Sequence, residues 1–185
     1  MRILGISGSL RRDSHNTKLL RAAAELVPDG VELELWDRLR QVPPYDQDED
    51  LEPAPPAVAA LRGALAGADA VLFATPEYNT SVPGQLKNAI DWASRPPRTN
   101  PLRNTPTAVI GASTGAFGAV WSQQELRKVL RSLGARVLDE GIAVRHADRQ
   151  FDVEGRLTDE VLLEELRAVV GALVGSVRER GLVAA

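Results

Sequence analysis

The sequence predicts an α/β fold in which a parallel five-stranded sheet lies between two layers of helices. Strand-like and helix-like segments alternate from end to end of the 185 residues. Several of the strand-like segments are continuous apolar runs, as expected of strands that are buried on both faces. No internal repeat or second hydrophobic unit is visible. Residues 1–185 are therefore expected to form a single domain.

The first half of the chain predicts three strands and two helices. Residues 3–7 form a short apolar run before a glycine, and residues 17–26 carry leucines and alanines at helical spacing. Residues 31–36 alternate apolar and acidic side chains, which indicates a strand with one wet face. A helix over residues 57–65 and a buried strand over Ala70–Thr75 follow.

Residues 38–56 predict a long connection between the second strand and the second helix. The segment is rich in proline and acidic residues, and loops of this length are often functional. Its acidic run is expected to be a solvated surface. That run consists of Asp46, Asp48, Glu49, Asp50 and Glu52.

The second half of the chain continues the alternation. A helix over residues 83–94 starts with a proline, which is favoured in the first turn. The strand Pro106–Ala112 and a helix over residues 119–133 come next. Residues 135–144 predict the fifth strand, and residues 158–180 predict a long final helix.

Composition excludes several classes of function. The net charge of -3 argues against a general nucleic-acid binder. There is no cysteine, which excludes disulfides, thiolate nucleophiles and Cys-based metal sites. The two histidines, His15 and His146, are far apart, so no metal site is expected. Any redox chemistry therefore needs a bound organic cofactor.

The chain also predicts no association with a membrane. The first residues lack the architecture of a signal peptide. No segment approaches the roughly 20 apolar residues that span a bilayer. The expected location is the cytoplasm.

Ligands of such sheets bind beyond the carboxyl ends of the strands, near the point where strand order reverses. The loop after the first strand carries Ser9, Arg11, Ser14, Asn16 and Thr17 at the predicted start of a helix. These donors, together with the free N–H groups of a helix N-terminus, suit a terminal phosphate. The simpler interpretation is that one of these residues only caps the helix. Capping accounts for one such residue, not for five.

Two later loops are expected at the same edge. Residues 75–84 follow the third strand, and there Tyr78 offers a ring face and Asn79 an amide. By itself, this segment favours a plain surface loop. Residues 112–118 follow the fourth strand, and their glycines allow backbone N–H groups to approach a ligand closely. The first loop fits neither the Walker A nor the G-x-G-x-x-G pattern.

Three motifs resemble the NADPH-dependent FMN reductase family, which includes quinone, azo-dye and chromate reductases. They are Ser7-Gly8-Ser9-Leu10-Arg11 with Ser14-His15-Asn16, then Pro76-Glu77-Tyr78-Asn79 with Ser81-Val82-Pro83-Gly84, and then Leu86-Lys87-Asn88-Ala89-Ile90-Asp91-Trp92. The pairing of the first two motifs at this spacing is far more specific than either one alone.

The resemblance implies a flavodoxin-like fold with strand order 2-1-3-4-5, FMN as cofactor and NADPH or NADH as co-substrate. It assigns the phosphate loop to Ser9, Arg11, Ser14 and Asn16, with Thr17 opening the helix. His15, in the same loop, is a candidate for ligand contact, but the pattern favours an exposed loop histidine. The resemblance assigns the isoalloxazine contacts to Pro76, Glu77, Tyr78 and Asn79, and the pyrimidine side of the ring to Ser113, Thr114, Gly115 and Ala116.

The resemblance also implies an assembly. The Lys87-to-Trp92 segment lies at a dimer interface in relatives, although Trp92 here is equally compatible with an internal position. A homodimer is expected. The sequence does not decide whether the chain also forms the tetramer of some relatives, because Trp121 and its neighbours replace residues used in tetramer contacts.

The implied reaction passes a hydride from NAD(P)H through flavin N5 to a small-molecule acceptor such as a quinone, with ping-pong kinetics and no essential acid or base side chain. One alternative is a non-catalytic flavodoxin-type electron carrier or an FMN-dependent interaction protein. Another is a serine hydrolase, because Gly111-Ala112-Ser113-Thr114-Gly115 fits the G-x-S-x-G pattern, with Asp139 and His146 later in the chain.

Overall fold

A computed structural model describes residues 1–183, with side chains as far as Glu179. Its strands all pair in parallel, in the order β2-β1-β3-β4-β5, and β6 also pairs with β4. The predicted strand order is confirmed. The strands are β1 Arg2–Ser7, β2 Glu32–Trp36, β3 Ala70–Thr75, β4 Pro106–Ala112, β5 Arg136–Val137 and β6 Ala143–Val144.

Helices cover both faces of this sheet, so the three-layer flavodoxin-like fold is confirmed. Neighbouring strand residues such as Ile3 and Leu4 point into separate apolar cores. Leu19 and Leu166 pack in the first core, and Leu86 packs in the second. The helices are α1 His15–Glu25, α2 Pro56–Ala66, α3 Gly84–Ala93, α4 Val120–Ser132 and α5 Glu160–Val183.

The predicted fifth strand over residues 135–144 is wrong in one respect, because it is split into β5 and β6. The β5 strand pairs with the start of β4, and β6 pairs with its end. Between them, the Arg127 guanidinium donates hydrogen bonds to the carbonyls of Val109 (2.7 Å) and Glu140 (3.5 Å). A side chain from α4 therefore occupies a position that a backbone N–H would take in an unbroken ladder.

The long connection over residues 38–56 is anchored by one face of α3. The Gln85 amide donates to the carbonyls of Leu39 and Val42, at 2.9 and 2.8 Å. One turn further on, the Asn88 amide donates to the carbonyl of Pro43 at 2.7 Å. Because these carbonyls are satisfied by side chains of a packed helix, the first part of the connection has a defined position.

The structure shows the environments of Trp92 and of the acidic run. Trp92 is fully buried and donates from Nε1 to the Pro43 carbonyl at 2.9 Å, so its side chain is internal. In the acidic run, Asp50 is not a solvated residue, because it forms a largely buried ion pair with Arg62 at 2.8 Å. The other members of the run are exposed.

Within residues 1–183, no helix is both long and apolar enough to cross a membrane. The same part of the chain contains no group of three or more His, Asp or Glu side chains arranged to hold a metal ion.

Candidate active site

The loops after β1, β3 and β4 meet at the carboxyl edge of the sheet and enclose a cleft of about 150 Å³. All the predicted site residues except Thr17, Asn79, Gly115 and Ala116 line this cleft, together with Ala112, which was not predicted. The lining residues are Ser9, Arg11, Ser14, His15, Asn16, Pro76, Glu77, Tyr78, Ala112, Ser113 and Thr114. The parallel topology thus brings together three segments that are distant in sequence.

The N-terminus of α1 opens into the cleft. Ser14 is its N-cap, and the Ser14 hydroxyl accepts a hydrogen bond from the Thr17 N–H at 3.3 Å. The helix therefore begins two residues before the predicted Thr17. The N–H groups of His15 and Asn16 occupy the first turn, where a helix offers no carbonyl partner. With the positive end of the helix dipole, these N–H groups are suited to an anion.

Asn16 is buried, and its side chain is used within the protein. Its amide nitrogen donates to the Ala112 carbonyl, and its amide oxygen accepts from the Ala112 N–H, both at 2.9 Å. This pair of bonds ties the first turn of α1 to the end of β4. The backbone N–H of Asn16, in the first turn of α1, is the group best placed to meet a ligand.

Hydroxyl groups hold the rest of the first loop in place. The Thr17 hydroxyl donates to Ser7 Oγ at 3.0 Å, so its side chain turns away from the cleft. The Ser9 hydroxyl accepts from the Arg11 N–H at 3.3 Å. Ser7 opens the first motif but was given no role there, although a hydroxyl at the last position of a buried strand indicates a structural one. The exposed Arg11 guanidinium makes one long bond, 3.4 Å, to the Asp13 carbonyl.

His15 lies half-buried at the start of α1 and stacks on Phe151, with 5.7 Å between ring centroids. Burial lowers the pKa of His15, and the positive charges of Lys18 and Arg11 lower it further. These effects favour the neutral form of the ring. Its buried Nδ1 has no hydrogen-bond partner within the described part of the chain.

The second loop, residues 75–84 after β3, folds into a tight turn that presents Tyr78. The N–H and carbonyl groups of Tyr78 and Ser81 bond to each other at 3.1 Å, and Asn79 and Thr80 between them have φ of 51° and 60°. The Tyr78 ring is 50% exposed. Asn79 is exposed at the tip and does not line the cleft.

Glu77 reaches across to the start of α4. Its Oε2 accepts hydrogen bonds from the N–H groups of Trp121 (3.0 Å) and Ser122 (3.1 Å). The residue before this helix, Ala119, has no capping side chain and has φ of 62°. A carboxylate from the second loop thus supplies the cap that the local sequence lacks.

The third loop, residues 112–118 after β4, is hydrogen-bonded to the segment after β6. The Ser113 hydroxyl accepts from the Gly115 N–H at 3.1 Å, and the Gly115 carbonyl accepts from the His146 N–H at 3.2 Å. Gly115 and Ala116 are exposed outside the cleft. A Cβ added at Gly115 would meet only Ser113 Oγ, at 3.5 Å. Its backbone is therefore open to approach by a ligand.

The serine hydrolase alternative is wrong. A nucleophile elbow needs a helix directly after the serine, but α4 starts only at Val120. Asp139 is paired with Arg131 at 2.5 Å. In the described residues, no hydrogen bond connects the Ser113 hydroxyl to the His146 ring.

The fold and the cleft define a flavodoxin-like protein with a cleft at the carboxyl ends of β1, β3 and β4. The family model described as NADPH-dependent FMN reductase matches residues 1–149, and the chain belongs to this family. It is therefore an enzyme, an FMN-dependent oxidoreductase that uses NAD(P)H, rather than a non-catalytic carrier.

Characterised relatives are similar over nearly their whole length. The chain is 44% identical over 174 residues to an NAD(P)H-dependent FMN reductase of Pseudomonas aeruginosa, covering 94% of this chain and 93% of the relative. It is 36% identical over 181 residues to a 2-hydroxy-1,4-benzoquinone reductase of Burkholderia sp., covering 97% and 98%. Among solved structures, FerB, a flavoenzyme NAD(P)H:(acceptor) oxidoreductase from Paracoccus denitrificans, superposes with a TM-score of 0.85 at 34% identity, covering 96% and 97%.

Proposed function

We propose that the chain holds FMN in the three-loop cleft and passes reducing equivalents from NAD(P)H to a quinone-like acceptor. The observation that carries this proposal is the cleft itself. Its lining combines the start of α1, which suits an anion, with the half-exposed Tyr78 side chain. A ligand with a phosphate and a flat ring system matches both features.

The first loop fits the phosphate of FMN. The backbone N–H groups of His15 and Asn16 point outward from the first turn of α1. The Ser9 and Ser14 hydroxyls lie beside them, and Arg11 adds a positive charge. Charged hydrogen bonds of this kind contribute about 1.5–3 kcal/mol each. Thr17 contributes indirectly, by fixing Ser7.

The second and third loops fit the ring system. In this proposal, Pro76, Glu77 and Tyr78 border one side of the isoalloxazine, and Asn79 lies beyond them at the exposed tip of the loop. Ser113 and Thr114 border the pyrimidine side, and Gly115 and Ala116 lie just outside the cleft. The open backbone at Gly115 supports the second assignment. Bound FMN supplies hydride transfer, and the backbone N–H groups of these loops stabilise negative charge. The side chains have no necessary acid or base role.

A quinone is the proposed acceptor class, supported by the names of the relatives. The exposed Tyr78 ring beside the cleft offers a flat apolar surface to such a molecule. We further propose that the protein works in the cytoplasm, where reduced nicotinamide nucleotides are available.

We also propose a homodimer. Two large aromatic side chains near the start of α4 are exposed to solvent: Phe117 at 58% and Trp121 at 42%. Phe117 and Trp121 contact each other, with ring centroids 4.8 Å apart. Clustered exposed aromatic residues are typical of protein interfaces.

Anaerobic half-reactions test the catalytic proposal. The purified protein is loaded with FMN, freed of excess cofactor and mixed with NADPH, and then with benzoquinone. The flavin absorbance is expected to bleach without a partner reductase and to return with the quinone, and initial-rate plots are expected to be parallel. Free FMN at the same concentration is the control. If the bound flavin stays oxidised in excess NADPH, or if the quinone does not restore the colour, the proposal fails.

A further inference from the structure

Two further cavities adjoin the candidate cleft on the side of β2. One, of about 190 Å³, lies over the ends of β1 and β2, and the other, of about 440 Å³, lies between the first loop and the start of α3. Arg11, Arg12 and Arg40 line both of them. The proposed binding of FMN needs only Arg11, so two arginines in these cavities have no assigned role.

The positive charge of these arginines is not neutralised. In the described residues, neither Arg11, Arg12 nor Arg40 forms an ion pair, whereas Lys18 and Arg62 both do. Asp37 is the single acidic residue that lines either cavity. Three guanidinium groups therefore face one exposed carboxylate, and the balance favours an anionic ligand.

The position of Arg40 is fixed by the protein. Its Nη2 donates to the Leu10 carbonyl at 2.8 Å, which leaves the other donors of the guanidinium for a ligand. Arg40 lies in the short helical turn Leu39–Gln41. The Gln85 amide donates to the carbonyls of Leu39 and Val42, which flank Arg40 in sequence. A charged side chain that is held in this way loses little conformational freedom when it binds a ligand.

The larger cavity borders the candidate cleft. Arg11 and Tyr78 line both the cleft and the larger cavity. A molecule that contacts the Tyr78 face can therefore extend past Arg11 towards Arg12 and Arg40. A reduced nicotinamide dinucleotide has this extended shape, with its redox ring at one end and adenosine phosphates towards the other.

We propose that Arg12 and Arg40 bind the adenosine 2′-phosphate of NADPH and make the enzyme prefer NADPH to NADH. This inference rests on the proposed function, because it needs FMN in the cleft. The 2′-phosphate is a dianionic group that NADH lacks, and a pair of guanidinium groups matches its charge and its acceptor oxygens.

Steady-state kinetics of the FMN-loaded protein test this inference. Arg12→Ala and Arg40→Ala are each expected to lower kcat/KM for NADPH at least about tenfold, while kcat/KM for NADH stays within about twofold. Arg178→Ala removes an exposed arginine from α5 and serves as the matched control. Equal losses with both nucleotides, or a change confined to the KM of the quinone, would overturn the assignment.

A binding measurement gives a readout that is independent of turnover. Calorimetry on the FMN-loaded protein compares adenosine 2′,5′-bisphosphate with adenosine 5′-monophosphate. We expect the bisphosphate to bind more tightly, and the difference to disappear in Arg12→Ala and Arg40→Ala. Equal binding of the two probes to the unmodified protein would contradict the inference. The flavin spectrum of each variant is recorded first, so that failure to hold FMN, which would count against the proposed function, is recognised separately.

Discussion

The amide of Asn16 shows how one residue can satisfy a sequence motif and yet act inside the protein. The resemblance places Asn16 in a phosphate loop, but its side chain bonds twice to the backbone of Ala112, 96 residues away. Both groups are buried. The side chain therefore fixes the first loop against the third, which sets the width of the cleft between them.

Asn16→Ala is expected to destabilise the protein by about 2–4 kcal/mol, because the N–H and the carbonyl of Ala112 would both lose their partners in a buried site. The midpoint of urea unfolding measures the change. Gln124→Ala, at an exposed position of α4, is the control and is expected to shift stability by less than about 0.5 kcal/mol. Similar midpoints for the two variants would show that the Asn16 amide does not support the fold.

The positions and roles of individual side chains could be predicted where a local rule applies. Ser14 at the start of α1 and the exposed Tyr78 follow from capping and from loop composition. The partners of Asn16 and Glu77 could not be read locally, because each lies in a loop that the topology brings near only after folding. Hydrogen bonds between distant segments leave no periodic trace in the sequence.

At the scale of the element, α4 depends on the loop after β3. Glu77 caps its first turn, and one turn further along Glu125 accepts hydrogen bonds from the Ser81 hydroxyl (2.6 Å) and the Val82 N–H (3.3 Å). Two carboxylates thus fasten the second loop and α4 to each other. The same loop carries Tyr78, so the fastening also orients the side chain that borders the cleft.

The Glu125 contacts predict a pH dependence of stability. The hydrogen bond from Ser81, followed by the one from Val82, lowers the pKa of Glu125 below its ordinary value of 4.5. The folded state thus binds the proton less readily than the unfolded state. The stabilisation is fully present above pH 4.5 and is lost as the pH falls through the lower folded-state pKa.

Glu125→Gln is expected to flatten the fall in unfolding free energy between about pH 5 and pH 3, because the titrating group is gone. Urea unfolding followed across this range measures the slope. Glu164→Gln, on the outer surface of α5, provides a matched control. An unchanged slope in Glu125→Gln would mean that its hydrogen bonds do not favour the ionised carboxylate.

Element boundaries were predicted well where burial is continuous and less well elsewhere. The β3 strand runs from Ala70 to Thr75, as predicted from its apolar run. The segment after α4 is apolar at both ends, which suggested one strand, but Asp139, Glu140 and Gly141 interrupt it. The reason is Arg127, whose guanidinium bonds to the β4 edge at that point. The sequence of residues 135–144 does not predict that an α4 side chain would bond to β4 at this point.

At the scale of the whole molecule, the parallel order of the sheet creates the site. The reversal of strand order between β1 and β3 opens a crevice at their carboxyl ends. The first, second and third loops then enclose it, as the alternation of strands and helices predicted. The flanking cavities were not predicted, because they depend on how the connection over residues 38–56 is held against α3.

The proposed homodimer makes a prediction at this scale. Trp121→Glu places a charge in the exposed aromatic cluster, and burying that charge in an interface would be costly. The unmodified protein is expected to sediment at twice the mass of one chain, and the variant as a single chain. Ala168→Glu, a charge at an exposed position on α5, is the control. A single-chain mass for the unmodified protein would contradict the dimer.

The claim on which the proposed function depends is that the loop from Ser9 to Thr17 holds the phosphate of FMN. The most direct measurement compares the dissociation constants of FMN and riboflavin, which differ only in that phosphate, by quenching of flavin fluorescence. Two or more charged hydrogen bonds predict that FMN binds at least about 100-fold more tightly. Arg11→Ala is expected to weaken FMN binding by about ten- to a hundredfold and to leave riboflavin binding unchanged. Equal affinities for FMN and riboflavin in the unmodified protein would contradict the account.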